Sequence, residues 1–145
     1  FEMAMILKNY QASMEEVSEF FKEEYEEMKL ISEIISNAKI VSPGIFIAAS
    51  KEEDIITRTV LSKVAEELLS TKDVQAVFVI GKTSNTEVSV SARSLNDFNV
   101  HIIMEAMGGG GHFSKAATQI QNETIDHVYE VLEEKVKVFI RDGEI

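Results

Sequence analysis

The sequence contains no cysteine, no tryptophan and a single proline among its 145 residues. Without cysteine the chain can form neither disulfides nor thiolate metal sites, and it is compatible with a reducing cytoplasm. No apolar run approaches the roughly 20 residues that a membrane-spanning helix needs, and no signal peptide is visible. The chain itself is therefore predicted to make no direct contact with a membrane.

Basic residues are also scarce, with 14 Lys and Arg against 25 Asp and Glu, so the formal net charge is −11. A long nucleic acid needs an extended basic surface, and the excess of carboxylates argues against such a partner. A small phosphate ligand needs only a local positive potential. Hydrophobic residues make up 45% of the chain, which at this length fits one globular domain with a core. Because the sequence opens on Phe1 rather than Met, we expect it to be part of a longer polypeptide.

The spacing of apolar residues predicts four helices. A long amphipathic helix with a glutamate-rich face is predicted from Met14 to Ile35, after the remnant of a preceding element or linker at residues 8–12. Ser50 and Glu53 have the spacing of a capping box, which predicts a second helix ending near residue 70. A short helix is expected at 99–107, and Asn122 is expected to cap the last one.

Four segments are predicted to be strands because they are rich in β-branched or alternating apolar residues. They are the part of 40–49 after Gly44, then 74–80, 87–91 and 116–120, the last of which could begin as a short helix that passes into a strand. Strands separated by helices predict an α/β domain, in which a mixed β-sheet is flanked by helices. The long amphipathic helix precedes this domain as a connector.

The strongest candidate site is the run Gly108 to Gly111 followed by His112. Glycines have no side chain to pack and cost entropy when ordered, so such a run is kept where backbone approaches a ligand or adopts positive φ. Successive N–H groups in a glycine-rich bend form a concavity that suits phosphate oxygens. A helix beginning at Phe113 would add the positive end of its dipole. The alternative is a flexible loop with a surface histidine.

Arg93 closes the third predicted strand and is flanked by the hydroxyl side chains of Ser91 and Ser94. A guanidinium at a strand end suits the bidentate capture of a phosphate. The alternative is a surface arginine in a salt bridge. Beyond this strand, Asn96 and Asn99 could contact a base, although capping of the next helix fits them better.

A metal site is not predicted from the residues. The three histidines lie in separate elements, and the five aspartates are scattered singly along the chain. A two-metal hydrolase needs carboxylates and imidazoles that converge on ions about 4 Å apart. The chemistry that this chain can carry is therefore binding rather than metal-assisted hydrolysis.

The segment from Gly108 to Ala117, together with the Ser-Ala-Arg-Ser sequence at 91–94, resembles the C-terminal DHH-associated domain of the DHH phosphoesterase superfamily. Within it, these residues are most similar to the branch of cyclic di-AMP phosphodiesterases. The likeness covers about residue 40 to the end. At the matching positions it implies a substrate-binding role for Ser91, Arg93, Gly109, Gly110, Gly111 and His112.

The resemblance also implies which domain of the longer polypeptide, here called the parent, binds the substrate and which one hydrolyses it. Residues 1–37 would be a connector helix with a remnant of the preceding domain, and residues 38–145 the DHH-associated nucleotide-binding domain. Two Mn²⁺ ions would be held by the missing DHH catalytic domain, so this fragment has no cofactor of its own and is catalytically incomplete. The full-length parent would hydrolyse cyclic di-AMP to pApA. This domain would lie in the cytoplasm, attached to a membrane-anchored parent, with a cyclic or linear dinucleotide as ligand.

Two other functions are compatible with the sequence. The parent could be a nanoRNase or an exonuclease similar to RecJ, whose associated domain carries the same motif. Alternatively, the chain could be a ligand-free interaction module that forms a homodimer through its long helix. The apolar residues available for that contact are Val17, Phe21, Met28 and Ile31.

Overall fold

The structure, a computed structural model, describes residues 2–95 and 97–143, which fall into two compact units, Phe1–Ser32 and Glu33–Ile145. Helix α1, Glu2–Ser36, provides the first unit, and its last turn belongs to the second. The predicted helix at 14–35 is confirmed, but residues 8–12 are part of the same helix and not of a separate element. Asn96, considered above as a cap or a base contact, lies outside the described residues.

The second unit is a six-stranded mixed sheet with three further helices. Its strands are β1 Lys39–Ser42, β2 Ile45–Ala49, β3 Ala76–Lys82, β4 Glu87–Ser94, β5 Gly110–His112 and β6 Lys115–Gln121. Its helices are α2 Arg58–Leu69, α3 Val100–Ala106 and α4 Ile125–Arg141. The strand order is β1-β2-β3-β4-β6-β5, with β2 and β3 parallel and the other neighbours antiparallel. The predicted α/β class with a mixed sheet is confirmed.

The two faces of the sheet are covered by different helices. On one face, alternate strand residues such as Phe78 and Val90 pack against Ile103 of α3 and Leu132 of α4 in the main core. On the other face α2 lies close to β3, because a Cβ atom on Gly81 would meet the side chain of Leu61 at 2.8 Å. Glycine at this position therefore lets α2 pack closely on the sheet.

Two helices begin later than the sequence spacing predicts. Ser50 does not cap α2, because its N–H still donates to Ile80 of β3, and the chain stays bonded to that strand as far as Ile56. The N-cap of α2 is Thr57, whose side chain accepts a hydrogen bond from the Val60 N–H at 3.1 Å. The N-cap of α4 is Thr124 rather than Asn122. Contacts to the sheet, which the local sequence does not encode, decide where these helices can start.

Candidate functional site

The first two glycines of the run end helix α3. Gly108 has a φ of 85°, and its N–H donates to the carbonyl of Glu105 at 3.0 Å, while the Gly109 N–H donates to Met104 at 2.8 Å. This pair of bonds is the Schellman ending of a helix. A Cβ atom on Gly109 would also collide with the carbonyl oxygen of Ala117. Gly109 is thus required by packing, and its N–H is already bonded within the protein.

The last two glycines lie in β5 and have different surroundings. Gly111 has a φ of 144°, and a Cβ atom there would lie 2.5 Å from the Lys115 carbonyl and from the Cα of Ala116. A Cβ atom on Gly110, in contrast, would meet nothing within 4 Å, and the φ of this residue lies outside the left-handed region. Neither packing nor backbone conformation therefore explains why residue 110 is a glycine.

No helix begins at Phe113, so the prediction of a dipole at the end of the loop is wrong. His112 pairs directly with Lys115 across a tight turn, and residues 115–121 are all in β6, without the predicted short helix. The turn is held by two backbone bonds, from the Ser94 N–H to Ser114 and from the Val100 N–H to Phe113. Positive charge at this loop must therefore come from side chains.

The strand register arranges the predicted site residues in rows across β4, β6 and β5. Residues that pair directly in antiparallel strands have side chains on the same face. The charged row contains Arg93, Lys115 and His112, the small row contains Ser91, Ala117 and Gly110, and the amide row contains Ser89 and Gln119. All three rows lie on the α2 face, because the intervening Val88, Val90 and Ala92 belong to the opposite core.

These rows form the floor of an open pocket of about 470 Å³. Its wall is the first part of α2, which contributes Arg58 and Ser62, and all members of the three rows line it. The structure thus brings together Ser91, Arg93, Gly110, Gly111 and His112, which the sequence proposed as ligand contacts. Gly109 does not line this pocket.

Arg93 is the most unusual side chain of the pocket. Only 7% of its surface is exposed, and it forms no salt bridge with the residues that the structure describes. One guanidinium nitrogen donates to the carbonyl of Ala92 at 2.8 Å and another to the Ser62 hydroxyl at 3.0 Å, while the buried Nε has no partner among the described residues. Burial lowers the pKa of Arg93, and the charge of Glu66 partly opposes this. Arginine remains protonated at neutral pH, so a buried cation without a salt-bridge partner among the described residues lies in the floor of the pocket.

The charges around the pocket are mainly positive. Arg58, Arg93, Lys115 and His112 line it, and none of the described residues that line it is acidic. In a chain with a net charge of −11 this is a local reversal of sign. A cleft lined by one sign of charge raises the local concentration of oppositely charged ligands. The pocket is therefore suited to an anion.

Arg58 differs from Arg93 because it has an acidic partner. Its guanidinium is bonded to Glu87 at 2.8 Å, and the same carboxylate accepts hydrogen bonds from Thr83 and Ser89. These hydrogen bonds, with that from Arg58 first, lower the pKa of Glu87 from its ordinary value of 4.5 to about 2. Glu87 is therefore ionised at neutral pH and neutralises Arg58, so the uncompensated positive charge lies at the charged row.

Sequence reasoning missed the five other polar or charged residues of the pocket, namely Arg58, Ser62, Ser89, Lys115 and Gln119. Arg58 carries one signal, because a basic residue in the first turn of a helix opposes the helix dipole. Lys115 and Gln119 lie an even number of positions apart, so their side chains lie on the same face of a strand. Only the pairing of this strand with β4 shows that Arg93 lies on that face too. Asn99, in contrast, is the N-cap of α3 as expected, with its side chain accepting from the His101 N–H at 3.0 Å.

The pocket does not have the donor set of a manganese site. Mn²⁺ in proteins is held mainly by carboxylates, with imidazole as a further ligand. The pocket offers one histidine and no carboxylate, and residues 2–95 and 97–143 contain no group of three or more side chains able to hold a metal. Within the same ranges, no helix is long and apolar enough to cross a membrane.

Comparison with known proteins shows the family of this chain. The family model of the DHHA1 domain matches residues 38–138. Over 144 residues the chain is 35% identical to a membrane protein–large ribosomal subunit bL9 fusion protein of Aster yellows witches'-broom phytoplasma, covering 99% of this chain and 17% of that protein. Over 125 residues it is 36% identical to the cyclic-di-AMP phosphodiesterase PdeA of Listeria monocytogenes, covering 86% of this chain and 19% of that protein. The chain spans less than a fifth of the length of either relative.

Solved structures share the fold at lower identity. An exopolyphosphatase-related protein of Bacteroides fragilis superposes with a TM-score of 0.62 at 16% identity, covering 78% of this chain and 34% of that one. The pGpG-specific phosphodiesterase PggH of Vibrio cholerae superposes with a TM-score of 0.56 at 17% identity, covering 84% of this chain and 43% of that one.

Proposed function

The chain belongs to the DHHA1 domain family, and from this we propose that it is the substrate-binding domain of a dinucleotide phosphodiesterase. The proposal assigns to this domain the recognition of a phosphate-containing ligand, with cyclic di-AMP or its linear product pApA as the natural choice. Relatives that are cyclic-di-AMP phosphodiesterases support this choice of nucleotide. Hydrolysis would belong to the longer parent.

The observation that carries the proposal is the buried Arg93 in the floor of the pocket, which has no salt-bridge partner among the described residues. An unpaired buried charge is costly, and an anionic ligand would compensate it when bound. Arginine presents a planar fork of donors that matches two oxygens of one phosphate. Lys115 and His112, in the same row, would contact the remaining oxygens.

Gly110 supports the same location for the ligand. It lines the pocket in the small row, next to Ala117, and its missing side chain leaves open space in front of the sheet. Glycine at a position without a structural need for it fits a backbone that a ligand approaches closely. The Ser91 hydroxyl, which forms no hydrogen bond with the described residues, is available to the same ligand.

The catalytic part of the activity is assigned to a domain outside this chain. Because the pocket lacks carboxylates, the proposed manganese ions would be held by a preceding DHH domain of the parent, and no catalytic step is assigned to residues of this chain. We place the domain in the cytoplasm, as part of a membrane-anchored parent. When bound, the metal ions would activate the attacking water, while this domain holds the nucleotide against them.

A titration with pApA followed by NMR tests the binding role. We expect shifts of the backbone amides of Ser91, Arg93 and residues 110–112, with a dissociation constant between high micromolar and millimolar. In the absence of the metal ions of the catalytic domain, two or three charge-assisted contacts with this domain correspond to a binding free energy of about −4 to −6 kcal/mol. Shifts confined to other parts of the chain would contradict the proposed site. Hydrolysis of cyclic di-AMP by the purified chain with Mn²⁺ would contradict its catalytic incompleteness.

A second candidate function is an interaction surface on α1. Most of this helix is exposed, including large apolar side chains with between 45% and 74% of their surface open to solvent. These are Met3, Met5, Ile6, Leu7, Tyr10, Met14, Val17, Phe20, Phe21, Tyr25 and Met28. Exposed apolar surface on this scale marks a contact with another protein element.

Light scattering of the whole chain and of a chain that begins at Glu33 separates the two functions. Residues 33–145 form a compact unit with their own core, so the shortened chain is expected to fold. If the chain is only an interaction module, the whole chain is a dimer, the shortened chain is a monomer, and neither binds pApA. We expect the shortened chain to bind pApA with the affinity of the whole chain, since the pocket lies within residues 58–119.

A further inference from the structure

The three rows of the pocket offer different chemistry along its length. From Lys115 in the charged row to Gln119 in the amide row the chain advances four residues of strand, or roughly 13 Å. One guanidinium nitrogen of Arg93 donates to the Ala92 carbonyl, which lies between the charged row and the small row. The remaining length of the floor, over Ala117 and Gly110, has small side chains or none and can accommodate a sugar ring.

The amide row is poorly suited to a second phosphate. Arg58 in the α2 wall is neutralised by Glu87, and the Ser89 hydroxyl of this row is bonded to both Glu87 and Thr83. A phosphate placed here would lie near an ionised carboxylate and would be repelled. The end of the pocket that contains Gln119 therefore favours an uncharged, polar part of a ligand.

Gln119 is the free hydrogen-bonding group at this end. Its side chain is exposed, lines the pocket and forms no hydrogen bond with residues 2–95 or 97–143. A primary amide presents a donor and an acceptor side by side, which complements the neighbouring amino group and ring nitrogen of adenine. Arg58 could donate to two acceptor atoms of a base, but its guanidinium is already bonded to Glu87.

We propose that Gln119 is a specificity-determining residue that hydrogen-bonds the base of a nucleotide whose phosphate lies at the charged row. This inference rests on the proposed function, because it requires that the charged row binds phosphate. It adds a direction for the ligand, which lies along the strands with its sugar over the small row. It also assigns a contact to a residue outside the glycine and arginine motifs.

The test compares two ligands that differ only in the base, adenosine 5′-monophosphate and ribose 5-phosphate. In the unmodified chain, NMR titrations should give tighter binding of the nucleotide. In a Gln119→Leu variant the affinity for the nucleotide should fall about fivefold, the effect of one lost neutral hydrogen bond, while the affinity for ribose 5-phosphate stays unchanged. A Gln121→Leu variant is the control for loss of an amide on the same strand and face but outside the pocket, where the Gln121 side chain donates to Glu87 at 3.4 Å.

The outcomes separate this inference from the function on which it rests. If neither ligand binds the unmodified chain at the charged row, the proposed function fails. If both bind with equal affinity, or if Gln119→Leu weakens both equally, phosphate binding stands and the contact of Gln119 with the base is overturned. An equal effect of Gln121→Leu on the nucleotide would also overturn it. A loss confined to the nucleotide and to Gln119→Leu supports it.

Discussion

An Arg93→Met variant is expected to keep its fold and to bind pApA at least tenfold more weakly than the unmodified chain. Arg93 is the buried cation of the pocket, and hydrogen bonds between a charged group and its ligand contribute about 1.5–3 kcal/mol each. Losing one such contact corresponds to a loss of affinity of roughly ten- to 150-fold. Isothermal titration calorimetry or an NMR titration would measure it.

The stability of this variant should change little. Arg93 forms two hydrogen bonds, to Ala92 and Ser62, but its buried charge has no salt-bridge partner among the described residues. Replacing a buried charge by an apolar side chain of similar length removes a desolvation cost that offsets the lost bonds. We expect the free energy of unfolding to stay within about 1 kcal/mol of its original value. Denaturant unfolding would distinguish a loss of binding from a loss of structure.

Two matched variants define the role of Arg93 more closely. Arg93→Lys keeps the charge but loses the planar fork, so an intermediate affinity is expected. Arg58→Met removes the other arginine of the pocket, whose charge is already compensated by Glu87, and should weaken pApA binding less than Arg93→Met does. Equal losses for the two methionine variants would show that total charge, and not the buried guanidinium, determines binding.

Alanine at Gly109 is expected to lower stability, whereas alanine at Gly110 is expected to weaken binding without a loss of stability. At Gly109 the new Cβ atom would collide with the backbone carbonyl of Ala117 and with Thr118, and backbone atoms cannot move aside as a flexible side chain can. Overpacking of this kind costs about 1–3 kcal/mol and more where backbone must shift. We expect the melting temperature of Gly109→Ala to fall by roughly 10 °C, since 1 kcal/mol corresponds to a few degrees for a domain of this size.

At Gly110 the same substitution meets open space. The melting temperature should stay unchanged or rise slightly, because alanine reduces the entropy of the unfolded chain by about 0.4–1 kcal/mol where its conformation is permitted. The added methyl group would project into the pocket, and pApA binding should weaken severalfold. Calorimetric melting and an NMR titration of both variants give the comparison. A stable Gly110→Ala variant with unchanged affinity would remove this glycine from the proposed site.

Part of this site could be predicted from the sequence because its residues carry local signals. A run of four glycines is costly to order, and an arginine between serines at the end of a strand suggests an anion contact. The helices and strands could be predicted from apolar periodicity, since the period of side chains depends only on local backbone geometry. Their ends were less predictable, as Thr57 and Ser50 show, because a helix starts only where the chain leaves the sheet.

By itself, the sequence determined the α/β class, the family resemblance and the identity of Arg93 and His112 as candidate ligand contacts. Only the tertiary structure decided the structural role of each glycine. Gly108 and Gly109 form the end of α3. In β5, the strand register places Gly110 on the pocket face and Gly111 against Ala116. A shift of one residue in that register would exchange the two faces. The pairing of distant strands therefore decides which glycine of the run leaves open space on the pocket face of the sheet.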